Sequence, residues 1–155
     1  MDLSVITEHV LVGTTPSTSD FARLREMGVG LVINMRLWFG RPPSDGKAGP
    51  QYLRLRTFDS PLLPIPSAAL VRGTKAALEI ISGGGRVYAH CSRGRHRSVA
   101  MAAAILIAQG MPAEAAMQLI KDRRPAADPE AGHIRPRILE FERDWQRRHS
   151  ADSAR

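Results

Sequence analysis

One loop constrains this chain more than any other stretch: Ala89-His90-Cys91-Ser92-Arg93-Gly94-Arg95-His96-Arg97-Ser98, set between two apolar segments. Before it, Val87, Tyr88 and Ala89 follow the Gly83-Gly84-Gly85 turn and read as the end of a buried strand. After it, the run from Val99 to Ala108 is almost wholly apolar, built of Ala, Met, Ile and Leu, which suits a buried helix. The loop therefore joins a strand to a helix N-terminus. It also holds the only cysteine of the chain.

At such a junction the first backbone N–H groups of the helix have no partner, and the helix dipole is positive there. A dianion is drawn to the concavity they form. A thiol in that field ionises more easily, falling from a pKa of about 8.5 into the range of roughly 3.5 to 7.5, so Cys91 is a candidate nucleophile. Arg97, six residues on, can fold back and grip two phosphate oxygens with its planar fork. Ser98 can donate a hydrogen bond to the Cys91 sulfur when it leaves. Gly94 permits a positive φ and lets a phosphate approach closely.

With these residues in place, the chain resembles the cysteine-based protein tyrosine phosphatases, whose loop reads His-Cys-x-x-Gly-x-x-Arg-Ser/Thr. Here it stands as His90, Cys91, Gly94, Arg97 and Ser98, with nothing missing. The resemblance implies a phosphate cradled by Ser92, Arg93, Gly94, Arg95, His96 and Arg97, with His90 orienting the thiolate. It implies a phosphocysteine intermediate and needs no cofactor and no metal.

Cysteine cannot protonate a leaving group, so a carboxylic acid must come from another loop. Tyr52 to Phe58 alternates as a strand does, and Asp59 follows, ahead of Ser60-Pro61-Leu62-Leu63-Pro64. In the dual-specificity branch the general acid is similarly an aspartate at a strand end before a proline-containing loop, which assigns Asp59, with Asp45 as the substitute. Leu11-Val12-Gly13, the segment Gly28 to Arg36 and Arg123-Arg124-Pro125 also look like that branch. One departure is Pro129-Glu130-Ala131-Gly132-His133, where many members carry Pro-Asn-x-Gly-Phe, so a buttress of the loop is absent or replaced.

The rest of the pattern fits a single α/β domain with a central, largely parallel sheet flanked by helices. At 155 residues the chain has the size of one domain. A catalytic unit over 1–150 with a short tail over 151–155 is expected. Strands are read at His9–Gly13 and Val29–Met35. Helices are read at Ser17–Met27, capped by Ser17, Thr18 or Ser19, at Ser67–Ser82 with Leu70, Thr74, Ala77, Leu78 and Ile81 inward, at Pro112–Lys121, and at Ile134–Arg148. No apolar run is long enough to span a membrane, and Met1 to Gly13 lacks the order of a signal peptide, so a cytoplasmic protein is expected.

Substrate is open at this level. Arg93, Arg95 and His96 add positive charge beyond Arg97, and a basic residue followed by His also occurs in atypical members that resemble inositol pyrophosphate phosphatases. A phosphoprotein phosphatase acting on phosphotyrosine, and on phosphoserine or phosphothreonine, stands beside a hydrolase of an inositol polyphosphate, a pyrophosphate or an RNA 5′-triphosphate. A third reading is that Arg93 and Arg95 only face solvent. Arg36, Trp38, Phe39 and Arg41 form a candidate substrate rim, or the two aromatics pin their loop to the core. The formal charge of +7 raises nucleic-acid binding. The candidate patch, Arg143, Arg147, Arg148 and Arg155, is however interleaved with Glu140, Glu142 and Asp144, which reads as a solvated helix face.

Overall fold

The computed structural model describes residues 1–37 and 47–154. Trp38, Phe39, Arg41, Asp45 and Arg155 lie outside the described residues, so the aromatic rim and the substitute acid have no structural account.

Five strands form one sheet: β1 (Leu3–Val5), β2 (Val10–Gly13), β3 (Val29–Arg36), β4 (Gln51–Thr57) and β5 (Arg86–His90). The order is β1-β2-β5-β3-β4, with β5 at the centre. β5 pairs in parallel with β2 and β3, and β3 in parallel with β4. Only β1 runs antiparallel, against β2. The parallel core was legible in the sequence; β1, three half-exposed residues without alternation, was not.

Alternation along the strands sorts side chains into two layers. Val10, Val12, Leu31, Ile33, Met35, Val87 and Ala89 face the larger core, which α2 (Ser67–Ser82), α3 (Arg97–Ala108), α4 (Ala113–Arg123) and α5 (Arg135–Ser153) complete. Leu11, Val32 and Tyr88 face the smaller core, closed by Phe21 and Leu24 of α1 (Asp20–Glu26). α3 is buried from Arg97 to Ile107, as its apolar composition requires of a helix packed on the sheet and on three other helices.

Three helices depart from expectation at their ends, α4 running two residues past Lys121 to Arg123. Ser17 to Ser19 form turns rather than the first turn of α1, and no Ser or Thr side chain caps the helix. Asp20 reaches back instead, its Oδ2 accepting from Ser17 N at 2.8 Å and Ser17 Oγ at 2.7 Å. α5 continues past Arg148 to Ser153, because nothing in His149-Ser150-Ala151-Asp152 stops a helix. In α2, Leu70, Thr74 and Ala77 are buried as expected, while Leu78 and Ile81 are half-buried at the edge of the core. Two arginines of α5 pair within the helix, Arg137 with Glu140 at 2.8 Å and Arg147 with Asp144 at 3.2 Å, which is the solvated-face arrangement.

Candidate active site

The central strand β5 ends at His90, the buried helix α3 begins at Arg97, and residues 91–96 span the gap. Cys91, Ser92, Arg93, Arg95, His96 and Arg97 line a cavity of about 340 Å³, and Asp59 from the loop after β4 closes its side. Cys91, Asp59 and Arg97, taken from distant parts of the sequence, thus share one cavity.

Cys91 is 2 % exposed, and its Sγ lies 3.3 Å from Ser98 Oγ. Burial works to raise the thiol pKa, but the Ser98 hydroxyl, the Ser98 and Arg95 amides and the Arg97 charge outweigh it, and the pKa is lowered. The thiol's side-chain hydrogen bond is thus with Ser98 and not with His90. His90 is fully buried, stacked on the Tyr88 ring with centroids 5.8 Å apart, and its Nε2 lies 3.5 Å from Tyr52 Oη. Burial, then the Arg36 and Arg97 charges, push the His90 pKa down to about 3, so its imidazole is neutral.

Arg97 is anchored on one side: Nη1 donates to Met35 O at 3.2 Å and to Thr57 O at 2.8 Å, at the ends of β3 and β4. Its Nε is buried with no hydrogen-bond partner among the described residues. A buried, unmet guanidinium donor lining a cavity is suited to an anionic acceptor.

The loop is held from behind. Arg124, 2 % exposed, donates from Nε to Gly94 O at 2.7 Å and from Nη2 to Arg93 O at 3.2 Å, and also binds Asp2 and Ser4. Asp128 N donates to Arg95 O at 2.9 Å. Thr15 Oγ1 donates to Cys91 O at 3.3 Å and accepts from Arg36 Nη1 at 3.1 Å. Arg36 therefore supports the loop from the far side and is not among the residues lining the cavity. Gly94 has the expected positive φ, +61°, but the space left by its missing side chain is filled by Arg124 Nη2 and the Gly13 backbone, each within 2.7 Å of a would-be Cβ. It serves close packing behind the loop rather than approach of a ligand in front of it.

Glu130, at the departure from the family pattern, does not reach the loop and pairs with Arg135 at 3.0 Å. The buttress is Arg124. Its sequence signal was the Arg123-Arg124-Pro125 segment, which marked the position but not its contact with the loop.

Asp59 is clasped by two histidines. His133 Nε2 lies 2.7 Å from Oδ1, and His96 Nδ1 lies 3.1 and 3.0 Å from the two oxygens. Partial burial would raise the carboxyl pKa, but the His133 and His96 hydrogen bonds and the charges of His96 and Arg97 prevail, holding it below the ordinary value. His133, supplied by the turn before α5, was not anticipated; it occupies the place where the family pattern carries Phe. On the solvent side, Arg95 pairs with Asp128 at 3.4 Å, and the exposed Arg93 and Arg95 also line a neighbouring cavity of about 510 Å³ with Lys121.

No protein-family model matches the chain. Dual specificity phosphatase 28 of Homo sapiens is 30% identical over 129 residues, covering 82% of this chain and 70% of the relative. Phosphatidylglycerophosphatase and protein-tyrosine phosphatase 1 of Mus musculus is 36% identical over 112 residues, 70% of this chain and 54% of the relative. Among solved structures, human DUSP28 superimposes with a TM-score of 0.82 at 25% identity, covering 93% of this chain and 95% of that one. PTPMT1 does so with a TM-score of 0.77 at 31% identity, covering 99% of each chain. Together with the complete loop at a strand-to-helix junction, this likeness over nearly the whole fold means that the chain belongs to the dual-specificity phosphatases of the cysteine-based protein tyrosine phosphatase superfamily, and is a hydrolase.

Proposed function

We propose that the protein hydrolyses phosphate monoesters through a phosphocysteine, acting on phosphorylated protein side chains in the cytoplasm, with residues 1–150 as the catalytic unit. The observation that carries this is the Cys91 thiol, its pKa lowered, 3.3 Å from Ser98 at the start of α3.

The Cys91 thiolate attacks phosphorus as the bond to the leaving oxygen breaks, and Asp59 gives that oxygen its proton. Asp59, now ionised, takes a proton from the water that attacks the phosphocysteine. The thiolate departs with a hydrogen bond from Ser98, and inorganic phosphate is released. The loop amides and the unmet side of Arg97 hold the equatorial oxygens, most tightly in the transition state. His90 acts from behind, through its packing and its interaction with the Cys91 backbone. No helix among the described residues is long and apolar enough to cross a membrane. The free thiol of Cys91 is suited to a reducing compartment.

A second reading has its own support. The neighbouring cavity shares Arg93 and Arg95 with the first and adds Lys121 against a single carboxylate, Asp128, a net basic wall that suits a second phosphate of a small polyphosphorylated molecule. PTPMT1 has been solved in complex with PI(5)P.

The test is a panel of phosphotyrosine peptide, phosphoserine peptide, inositol polyphosphates, PI(5)P and 5′-triphosphorylated RNA. Cys91→Ser should abolish turnover of every substrate cleaved while still binding a phosphate analogue. Comparable turnover in that variant would overturn the mechanism. Preference for the polyphosphates, lost on Arg93→Ala with Arg95→Ala, would select the second reading.

A further inference from the structure

We propose that Asp59, His96 and His133 form a zinc site, and that zinc bound there blocks the phosphatase reversibly by taking its proton donor. The inhibitory half rests on the function proposed above; the binding half does not.

The three side chains come from separate segments: the loop after β4, the end of the Cys91 loop and the turn before α5. One ligating atom of each lies within 4.8 Å of the others, and among the described residues no other group of three or more His, Cys, Asp or Glu is so placed. Tetrahedral zinc, with bonds of about 2.0 to 2.1 Å, needs its ligand atoms roughly 3.3 Å apart. His133 Nε2 and His96 Nδ1 now stand 2.7 and 3.0 Å from the Asp59 oxygens. The two edges to Asp59 need to open by only roughly half an ångström to reach that spacing, and the third, between the two histidine nitrogens, lies within 4.8 Å and closes around the ion. All three side chains are partly open, at 34, 20 and 16 % exposure for Asp59, His96 and His133, so an ion can enter.

A second feature points the same way. The other nitrogen of His96, Nε2, lies 3.7 Å from Asp128 Oδ2. With Nδ1 on the metal, Nε2–H would face that carboxylate, and an approach closer by under an ångström would make the hydrogen bond that fixes the tautomer and orientation of metal-bound imidazoles. Two imidazoles and one carboxylate suit zinc rather than magnesium or calcium, which prefer oxygen ligands. Three protein ligands leave a fourth position beside the cavity that Asp59 and His96 line, for water or a substrate oxygen. The Arg97 charge, which already acts on Asp59, limits the affinity and keeps the ion exchangeable.

The sequence hid this constellation, because its members stand far apart and the histidine in the Cys91 loop reads first as a phosphate contact.

The binding arm uses the full chain with Cys91→Ser, which has no thiol to compete for the metal. Calorimetric titration with zinc chloride should give one ion per chain, and cobalt substitution should give the strong visible absorption of a tetrahedral site. On the same background, His96→Ala or His133→Ala should remove that binding, and Asp128→Asn should weaken it roughly tenfold to a hundredfold. Circular dichroism checks that each variant is folded, and His133, in the turn before α5 and outside the Cys91 loop, tests the site without touching the phosphate cradle. In the active chain, zinc should slow hydrolysis, and a chelator should restore it. Loss of zinc binding on Cys91→Ser alone, or unchanged binding in folded His133→Ala, overturns the site. Binding without inhibition of a demonstrably active chain overturns the regulatory role, and an inactive chain that still binds zinc condemns only the phosphatase reading.

Discussion

Asp59 is under two demands that pull its proton in opposite directions. His133 and His96 hold the carboxyl ionised, yet the first step of the proposed mechanism requires it protonated. A dianionic phosphate in the adjacent loop supplies the difference, since a like charge beside a carboxylate favours the protonated form. The sign follows: the rate falls as pH rises through the Asp59 pKa of the complex, whereas its rise at low pH reflects ionisation of Cys91. Asp59→Asn should slow esters with poor leaving groups by roughly a hundredfold or more, cost activated aryl phosphates less, and remove the descending alkaline limb. A full-rate variant with the alkaline limb intact would assign the acid elsewhere. At this scale the sequence singled out Cys91, Arg97, Ser98 and Asp59 by residue type and order, and the fold brings them together around one cavity. It hid His133, Arg124 and Thr15, whose importance lies in which backbone or carboxylate they meet after folding.

The elements around the loop divide the labour between precision and support. α3 was legible because eleven buried residues in a row leave little else for such a sequence to become, and α2 because the Gly83-Gly84-Gly85 stop marks its end. β1 and the start of α1 were not, since a three-residue edge strand and a turn closed by one aspartate carry no periodicity. The C-terminal end of α4 has a less visible role. Arg124, its cap residue, fastens the Cys91 loop to the N-terminal segment through Gly94, Arg93, Ser4 and Asp2. Arg124→Ala would leave two loop carbonyls without their donor and cost about 3 kcal/mol, a fall in Tm on the order of 10 °C, with loss of kcat/KM. The exposed neighbour Arg123→Ala should change neither. Thermal melts of the pair decide the matter, and equal Tm values would remove Arg124 from its place as buttress.

The molecule as a whole places its reactive loop against a buried histidine, and that sets how it responds to acid. His90 sits at the end of the central strand with the larger core on one side of the sheet and Tyr88 beside it, and its pKa in the folded protein is about 3 against an ordinary value near 6.5. The unfolded chain therefore binds a proton on His90 between these two values and the folded protein does not. A depressed pKa of this kind contributes stability that is fully present above about pH 6.5 and is lost as pH falls toward 3. The slope approaches 1.4 kcal/mol per pH unit, so roughly 2 kcal/mol should be gone by pH 5, before most carboxylates titrate. Asp59, also held below its ordinary value, adds to the loss only at lower pH. Denaturant unfolding at pH 7.5, 6.5, 5.5 and 5.0 should show stability level at first and then falling. In His90→Gln, which has no proton to gain there, the curve should stay flat over the same range from a lower starting point. A wild-type protein as stable at pH 5 as at pH 7.5 would mean that His90 accepts its proton inside the fold, and with it that the interior behind Cys91 is far more polar than its packing against Tyr88 and Tyr52 implies.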